Sequence, residues 1–454
     1  MYKVISRYAL AAHLALLVVA PLFMFPFFGA RETSLVVLWL SFLCALWLLL
    51  EPSRRYGELL HYARRRTYES IKSDPLFWAF CLLFVFAAVR CMNGVVSLGY
   101  DFVAEVWNVS STGIEWLPSC VKGEALPIFS VLSAVTVAVM AARHALGASA
   151  RAMLVFLTSL FAGIAFISAF CAYRFGFVSG DVASLLKYES ASFVGTSFGI
   201  FFLAGVVSFS GMLKYGWNKC LLVFSFATGA SFAGLLFFAP LSVFLFYSIA
   251  GLFALLATFI FVMVSFGVVS ALKIFVGFIL SALVPVAFVA FAPLNDLSAI
   301  KEFLAGNFSF FPENYFPLRA SLSEISMAEW SRSMWLGGGI GVFPLIVQLG
   351  EMESNWVAYS FNGWLQLLVE RGIIGAVLFF IPACFMVFTL FSRIFSASLR
   401  KAFWPIAVLG LLIAMLFAVQ GFFDSSVFRC EVIVSTCVFF AMAASSFPKR
   451  KSVD

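Results

Sequence analysis

Charge is what this chain has least of. Only 11% of its 454 residues are Asp, Glu, Lys or Arg, against roughly 25% in soluble domains. With 63% hydrophobic residues and a mean hydropathy of +1.04, a water-soluble fold of this length is excluded, because its core is too small to hide so much apolar surface. Histidine is scarcer still, at three residues, and the nine cysteines show no CxxC or Cys/His metal spacing. No metal site and no cofactor are therefore expected. Internal repeats are absent by eye. Alternating strands of ~10 residues, the mark of a membrane barrel, are absent too.

What is there is a succession of long, continuously apolar runs. A helical span needs ~20 such residues, so the chain reads as a helical polytopic membrane protein. The runs fall at about 8–28, 34–50, 75–95, 127–147, 152–173, 192–213, 220–239, 241–265, 271–293, 364–391, 403–423 and 430–447. The expectation is an all-α fold of about twelve transmembrane helices. The first run follows the basic leader MYKVISR and lacks a small-residue cleavage site, so it is expected to be a retained span. Cys44, Cys81, Cys171, Cys220, Cys384 and Cys437 lie in these runs and read as small apolar side chains. The segment 96–126 is mixed in character. Cys91 and Cys120 flank one outer loop and are a candidate pair in an oxidising compartment, although spacing alone fixes no bridge.

The net charge of +7 does not mark a nucleic-acid binder, because the basic residues sit in short loops. One side collects Lys3, Arg7, the basic loop 51–74, Arg143, Arg151, Lys214, Lys219, Lys273, Arg393, Arg400, Lys401 and the tail Lys449 to Lys451. Of the 22 acidic residues that side holds only Glu51, Glu58, Glu69, Asp74 and Asp454. The positive-inside bias makes it the cytoplasmic side and places both termini there. His61 belongs to its loops, and His144 to a basic turn.

The longest polar interruption, about 294–363, then lies on the far side between spans nine and ten. The chain thus divides into helices one to nine (1–293), an external, periplasmic loop (294–363) and helices ten to twelve with a tail (364–454). Arg319 and Arg332 in the loop carry permanent charge and can grip phosphate oxygens in pairs; both also suit an exposed amphipathic helix. WLGGGIGVF (335–343) matches neither GxGxxG nor a P-loop and reads as a turn. Trp330, Trp335, Trp356 and Trp364 suit an interfacial belt, and aromatic rings also stack on sugars. Glu351, Glu353, Asn362, Gln366 and Glu370 stand at the loop's exit. Glu370 lies two turns into an apolar helix, where an ionisable group needs a partner and is a functional candidate or a structural ion pair. Arg371 would not face it on a regular helix. Arg90, near the outer end of span three, is the nearest other ionisable group within a span.

SRSMWLGGGIGVFP followed by FNGWLQLLVERGIIGAVLFF resembles the signature of the O-antigen ligase and O-antigen polymerase superfamily. Asn362, Leu365, Gln366, Glu370, Gly372 and Gly375 stand at matching positions of that family's run into a membrane helix. The likeness covers about 60 residues, and the layout of spans around one large external loop agrees with it. It implies a glycosyltransferase of polysaccharide or lipopolysaccharide assembly in the bacterial cytoplasmic (inner) membrane. Such an enzyme moves a glycan from an undecaprenyl pyrophosphate donor to a glycan or a lipid A-core acceptor. Its partners are those substrates and membrane lipid, not nucleic acid. The resemblance assigns pyrophosphate binding to Arg319 and Arg332, and substrate binding to Asn362, Gln366, Trp335 and Gly339.

Phe361 stands where family ligases carry histidine, and an element usually written Thr-x-Ser-Arg has no arginine at 228–231. A phenylalanine cannot take a proton. Glu353 is the first candidate for the base, ahead of Glu351 and Glu370, because it lies in the loop. A polymerase fits this pattern better than a ligase. The alternatives are a lipid-linked glycan transporter or flippase, and a catalytically degenerate member.

Overall fold

The computed structural model describes residues 2–24, 30–50, 71–101, 106–111, 113–114, 117, 119–121, 123–146, 150–171, 200, 260, 315–343, 362–395, 404–423 and 428–444. Expected spans six to nine lie outside the described residues apart from the isolated positions 200 and 260. So do the loops 51–70 and 344–361, and with the latter Glu351, Glu353 and Trp356.

The described residues are 86% helical. In chain order the helices are α1 (Tyr2–Met24), α2 (Ala30–Leu50), α3 (Pro75–Met92), α4 (Ala125–His144) and α5 (Ala150–Cys171), then α6 (Tyr315–Arg332), α7 (Gly363–Phe395), α8 (Trp404–Phe423) and α9 (Cys430–Ala444). Among the described residues, four segments are long and apolar enough to cross a membrane: Arg31–Leu49, Pro75–Met92, Ala125–His144 and Gly363–Ser392. Shorter apolar helices run over Tyr8–Pro21, Ala152–Ile164, Ile406–Phe422 and Val432–Ala444. Each of these eight falls on an expected span, although Tyr8–Pro21 and Ala152–Ile164 are shorter than the runs expected there. The chain is a helical membrane protein.

Local chemistry sets the helix ends. Asp74 caps α3, accepting from the Leu76 amide at 3.1 Å, and Pro75 fills a first-turn position that needs no donor. Arg143 and His144 close the last turn of α4, where the helix dipole favours positive charge. Their side chains reach Asp74 Oδ2 at 2.9 Å and 3.2 Å. One carboxylate thus ties the start of α3 to the end of α4. Arg143 also lies over the Phe385 ring at 5.8 Å, which adds α7 to this junction.

In the main core, α4 packs against α2 and α9, α1 against α2 and α5, and α8 against α9. Ala134, Ala138, Ala141 and Ala142 on α4 and Ala441, Ala443 and Ala444 on α9 are fully buried. Small side chains let helices approach closely, which drives helix association in lipid. The outward residues Leu35, Trp39, Phe42 and Leu46 on α2, and Leu82, Val85 and Val89 on α3, stay exposed, as suits a hydrocarbon surround.

The all-α expectation is corrected between α3 and α4. There the mixed segment forms a three-stranded sheet: β1 (Val95–Asp101), β2 (Val106–Ser111) and β3 (Cys120–Val121), in the order β2-β1-β3. β1 and β2 are antiparallel, with Val96 opposite Ser111; β1 and β3 are parallel, with Val95 opposite Cys120. Asn93, just past α3, holds the connecting loop. Its Oδ1 accepts from the Ile114 amide at 3.0 Å, and its Nδ2 donates to the Ile114 and Leu117 carbonyls and to Ser119 Oγ.

Candidate functional site

The glycine-rich turn after α6 is stitched into a break in α7. Gly372 sits within α7 at φ 65°, ψ −173°, outside helical geometry. A regular helix would pair the Ile373 amide with Val369 O and the Ile374 amide with Glu370 O. Here Ile373 N donates to Met334 O at 3.0 Å and Ile374 N to Trp335 O at 3.1 Å. The two vacated carbonyls accept from the turn: Gly338 N to Val369 O at 2.7 Å and Gly339 N to Glu370 O at 3.3 Å. Two bonds of the helix are exchanged for four to the turn, so these two amides and two carbonyls all keep partners.

This geometry requires glycine at Gly337, Gly339, Gly341 and Gly372, whose φ values run from 65° to 134°. The remaining amides of the turn are also spent on protein. Gly337 N donates to Ser333 O at 2.7 Å and Ile340 N to Ser119 O at 3.1 Å. Val121 N returns a bond to Ile340 O at 3.0 Å, so Ile340 extends the sheet beyond β3. Gly341 donates to the Glu370 side chain. The turn cradles a carboxylate of its own chain.

Glu370 is therefore the centre of the site. It is 9% exposed. Its Oε1 accepts from Gln366 Nε2 at 3.1 Å, and its carbonyl accepts from Arg90 Nη2 at 2.8 Å. Arg90, wholly buried, reaches it from the last turn of α3 and lies 5.3 Å from the Phe86 ring centre. Arg371 and Arg90 supply the positive charge around the carboxylate. Glu124, at the head of α4, borders Gly341 closely enough that a Cβ there would lie 2.6 Å from its Cγ. Glu124 is exposed as a residue, but partial desolvation of its carboxyl beside the turn raises it above its ordinary value of 4.5.

The residues expected at the site separate into two groups. Glu370, Gln366, Gly339 and the Trp335 backbone come together at the break. Asn362 stands at the start of α7, one turn before Gln366 and two before Glu370, and caps the helix, accepting from the Leu365 amide at 3.1 Å. Arg332 stands apart: its side chain is 77% exposed and pairs with Glu329 at 3.0 Å within α6. The Trp335 side chain is likewise exposed. Arg319 belongs to α6, but its side chain lies outside what is described, as does the whole of Glu353. Among the described residues no group of three or more His, Cys, Asp or Glu is arranged to hold a metal.

Arg90 stands out in the sequence as a charge within a span, but nothing there assigns it to this site. The available signal was a guanidinium in the last turn of an apolar span, which needs a partner. Glu124 gave no signal beyond its place in a mixed loop. Arg371 adds positive charge near Glu370 although the two are chain neighbours.

Fold and site define a helical membrane protein with a cluster of ionisable side chains built around a broken helix. Neither a scan of protein-family profiles nor a search of curated proteins returns a match for this chain.

Proposed function

We propose that this chain is a membrane glycosyl-transferring enzyme of bacterial surface-polysaccharide assembly. It would polymerise or ligate a glycan carried on undecaprenyl pyrophosphate, at the outer face of the cytoplasmic membrane. The proposal includes about twelve spans, both termini in the cytoplasm and the 294–363 segment outside. The observation that carries it is the buried Glu370 carboxylate, held by Gln366 and by the glycine turn. These are residues of the stretch that resembles the O-antigen ligase and polymerase superfamily, and they meet at one place.

In this reading Glu370 or Glu353 takes the proton of the acceptor hydroxyl as the sugar–phosphate bond breaks. Fixed guanidinium charge stabilises the departing diphosphate. Arg319 is the first candidate for that charge, since Arg332 is committed to Glu329 in solvent. Asn362 and Gln366 position the sugar, and no metal or cofactor takes part.

The test uses full-length protein purified in detergent with a polyprenyl-diphosphate oligosaccharide. Chain extension or attachment to an acceptor is expected, and its loss in Arg319→Ala at unchanged protein level. A well-folded wild type that transfers nothing, or an Arg319→Ala protein that transfers fully, overturns the reading.

A second reading, a lipid-linked glycan transporter, is favoured by one observation. Membrane transporters place their sites at broken helices lined by ionisable groups, and α7 is broken beside Glu370, Arg371 and Arg90. It predicts movement of lipid-linked glycan across sealed vesicles without any change in glycan length.

A further inference from the structure

Behind the glycine turn lie two thiols that the proposed chemistry does not use. Cys91 is in the last turn of α3, one residue beyond Arg90, and Cys120 opens β3. β1 pairs with β3 so that Val95, four residues past Cys91, stands opposite Cys120. Cys91 packs against the small cluster of Ala87, Cys120, Ile128 and Ile340. The two thiols share a hydrogen bond, and Cys120 Sγ also lies 3.5 Å from Val121 O. Both are free thiols in this structure. Exposure differs between them: Cys120 is 3% exposed, while Cys91 is only half-buried. That hydrogen bond and burial hold the Cys120 thiol above its ordinary value of 9.0.

We infer that Cys91 and Cys120 are the substrate of a thiol–disulfide oxidant and form a disulfide that clamps β3 to the end of α3. The inference rests on the proposed outward placement of the 93–121 segment, because disulfides persist in oxidising compartments such as the periplasm. The oxidant is a protein or small molecule bearing a reactive disulfide. The more accessible Cys91 sulfur attacks it, forms a mixed disulfide and releases one oxidant thiol, which takes the Cys91 proton. Cys120 Sγ then attacks the Cys91 sulfur and expels the second oxidant sulfur, which leaves as a thiol with the Cys120 proton. Two thiols have become one disulfide, and the oxidant has gained two electrons and two protons.

The clamp would act on the site through β3. Ser119 and Val121, the two neighbours of Cys120, exchange bonds with Ile340 of the turn. Arg90, the neighbour of Cys91, holds the Glu370 carbonyl. A bridge between 91 and 120 therefore joins the strand that holds the turn to the helix that holds the break.

The test counts thiols in the full-length protein. Cells are acid-quenched and the denatured protein is labelled with a maleimide-linked polyethylene glycol, with and without prior reduction. Nine labels are expected after reduction and seven without it, from the nine cysteines of the chain. Peptide mapping of the unreduced protein should recover the segments around Cys91 and Cys120 as one cross-linked species. The Cys91→Ala/Cys120→Ala protein should take seven labels under both conditions. Nine labels on unreduced wild type overturn the inference, as does a bridge mapped to any other pair.

Topology is read separately by adding Ile114→Cys, at an exposed loop position, to the double variant. In intact cells a membrane-impermeant maleimide should label it. Labelling together with nine free wild-type thiols overturns the clamp and leaves the glycan-transfer reading standing. Protection of Ile114→Cys overturns the outward placement on which both depend.

Discussion

Gly337 and Gly372 meet so closely that neither has room for a side chain. A Cβ on Gly337 would lie 2.6 Å from Gly372 N, and one on Gly372 would lie 2.5 Å from Gly337 N. Both residues also hold positive φ, at 72° and 65°. The turn and the broken helix share these two positions as their point of contact.

Alanine at either glycine should therefore unfold the junction. The left-handed conformation alone costs an L-residue ~1–2 kcal/mol, and the collision adds to it. Gly123→Ala is the control: its φ is 97°, yet a Cβ there meets nothing within 4 Å. Thermal unfolding in detergent should rank Gly372→Ala and Gly337→Ala well below Gly123→Ala. Equal losses at all three would refute the contact.

Arg90 serves α7 through a carbonyl, so the kind of charge matters less than the donor. Arg90→Met should cost ~1.5–3 kcal/mol, the worth of a charge-assisted hydrogen bond, with a further loss from leaving Glu370 less well compensated. Arg90→Lys should recover part of it. Urea or thermal midpoints of the purified variants check this, and a stable Arg90→Met protein would contradict it.

Asp74 makes stability depend on pH at the other end of α3. Burial opposes its ionisation, but the His144 hydrogen bond, the Arg143 charge and the Leu76 amide outweigh it and hold the carboxyl below its ordinary 3.8. A carboxyl lowered by folding stabilises above its unfolded value, and the contribution fades as pH drops from there through the folded value. Unfolding midpoints measured in acid should fall over that window in wild type and show less dependence there in Asp74→Asn. At neutral pH, Arg143→Ala should cost ~3–5 kcal/mol because it leaves a buried carboxylate underpaired.

Trp364 is the aromatic anchor of the α7–α8–α9 junction. Phe380, Phe417, Phe422 and Phe428 ring it at 5.4–6.3 Å between centroids, and Nε1 donates to Ala418 O at 3.1 Å. Trp364→Ala should cost ~3–5 kcal/mol. Trp364→Phe should cost less, since it keeps the ring contacts and loses only the hydrogen bond. If the residue were merely part of an interfacial belt, both variants would unfold near the wild-type midpoint.

Arg332→Ala, in contrast, should change stability by no more than ~1 kcal/mol, because an exposed ion pair is worth little. A large loss of melting temperature would show that α6 is held by contacts its exposure does not suggest.

The apolar runs were legible because hydrocarbon demands length and composition that few other settings permit. That is why α2, α4 and α8 begin and end within a few residues of their expected bounds. The β1–β3 sheet was not legible. Its strands are short, and β1 pairs in parallel with a two-residue strand 25 positions later, a relation that period-two alternation cannot reveal. The Gly-rich stretch was correctly read as a turn, but nothing local says that a turn at 335–341 will bond to carbonyls 369 and 370. Arg90 and Glu370 are 280 residues apart, and their meeting is a property of packing. Glu370 was singled out for a local reason, an ionisable group two turns inside an apolar helix. Arg332 drew notice for its charge, which the fold leaves in water.

The exchanged bonds of α7 also constrain how the chain can be built. Until residues 334–339 dock, the Val369 and Glu370 carbonyls and the Ile373 and Ile374 amides lack the partners the finished fold gives them, and each bare group in lipid costs several kcal/mol. The turn precedes α7 in the chain, so it emerges from the ribosome first and can wait for the helix. Maturation of this helix then becomes a two-part event, insertion followed by splicing, and a late-arriving turn would leave a span that is in the bilayer but unfinished.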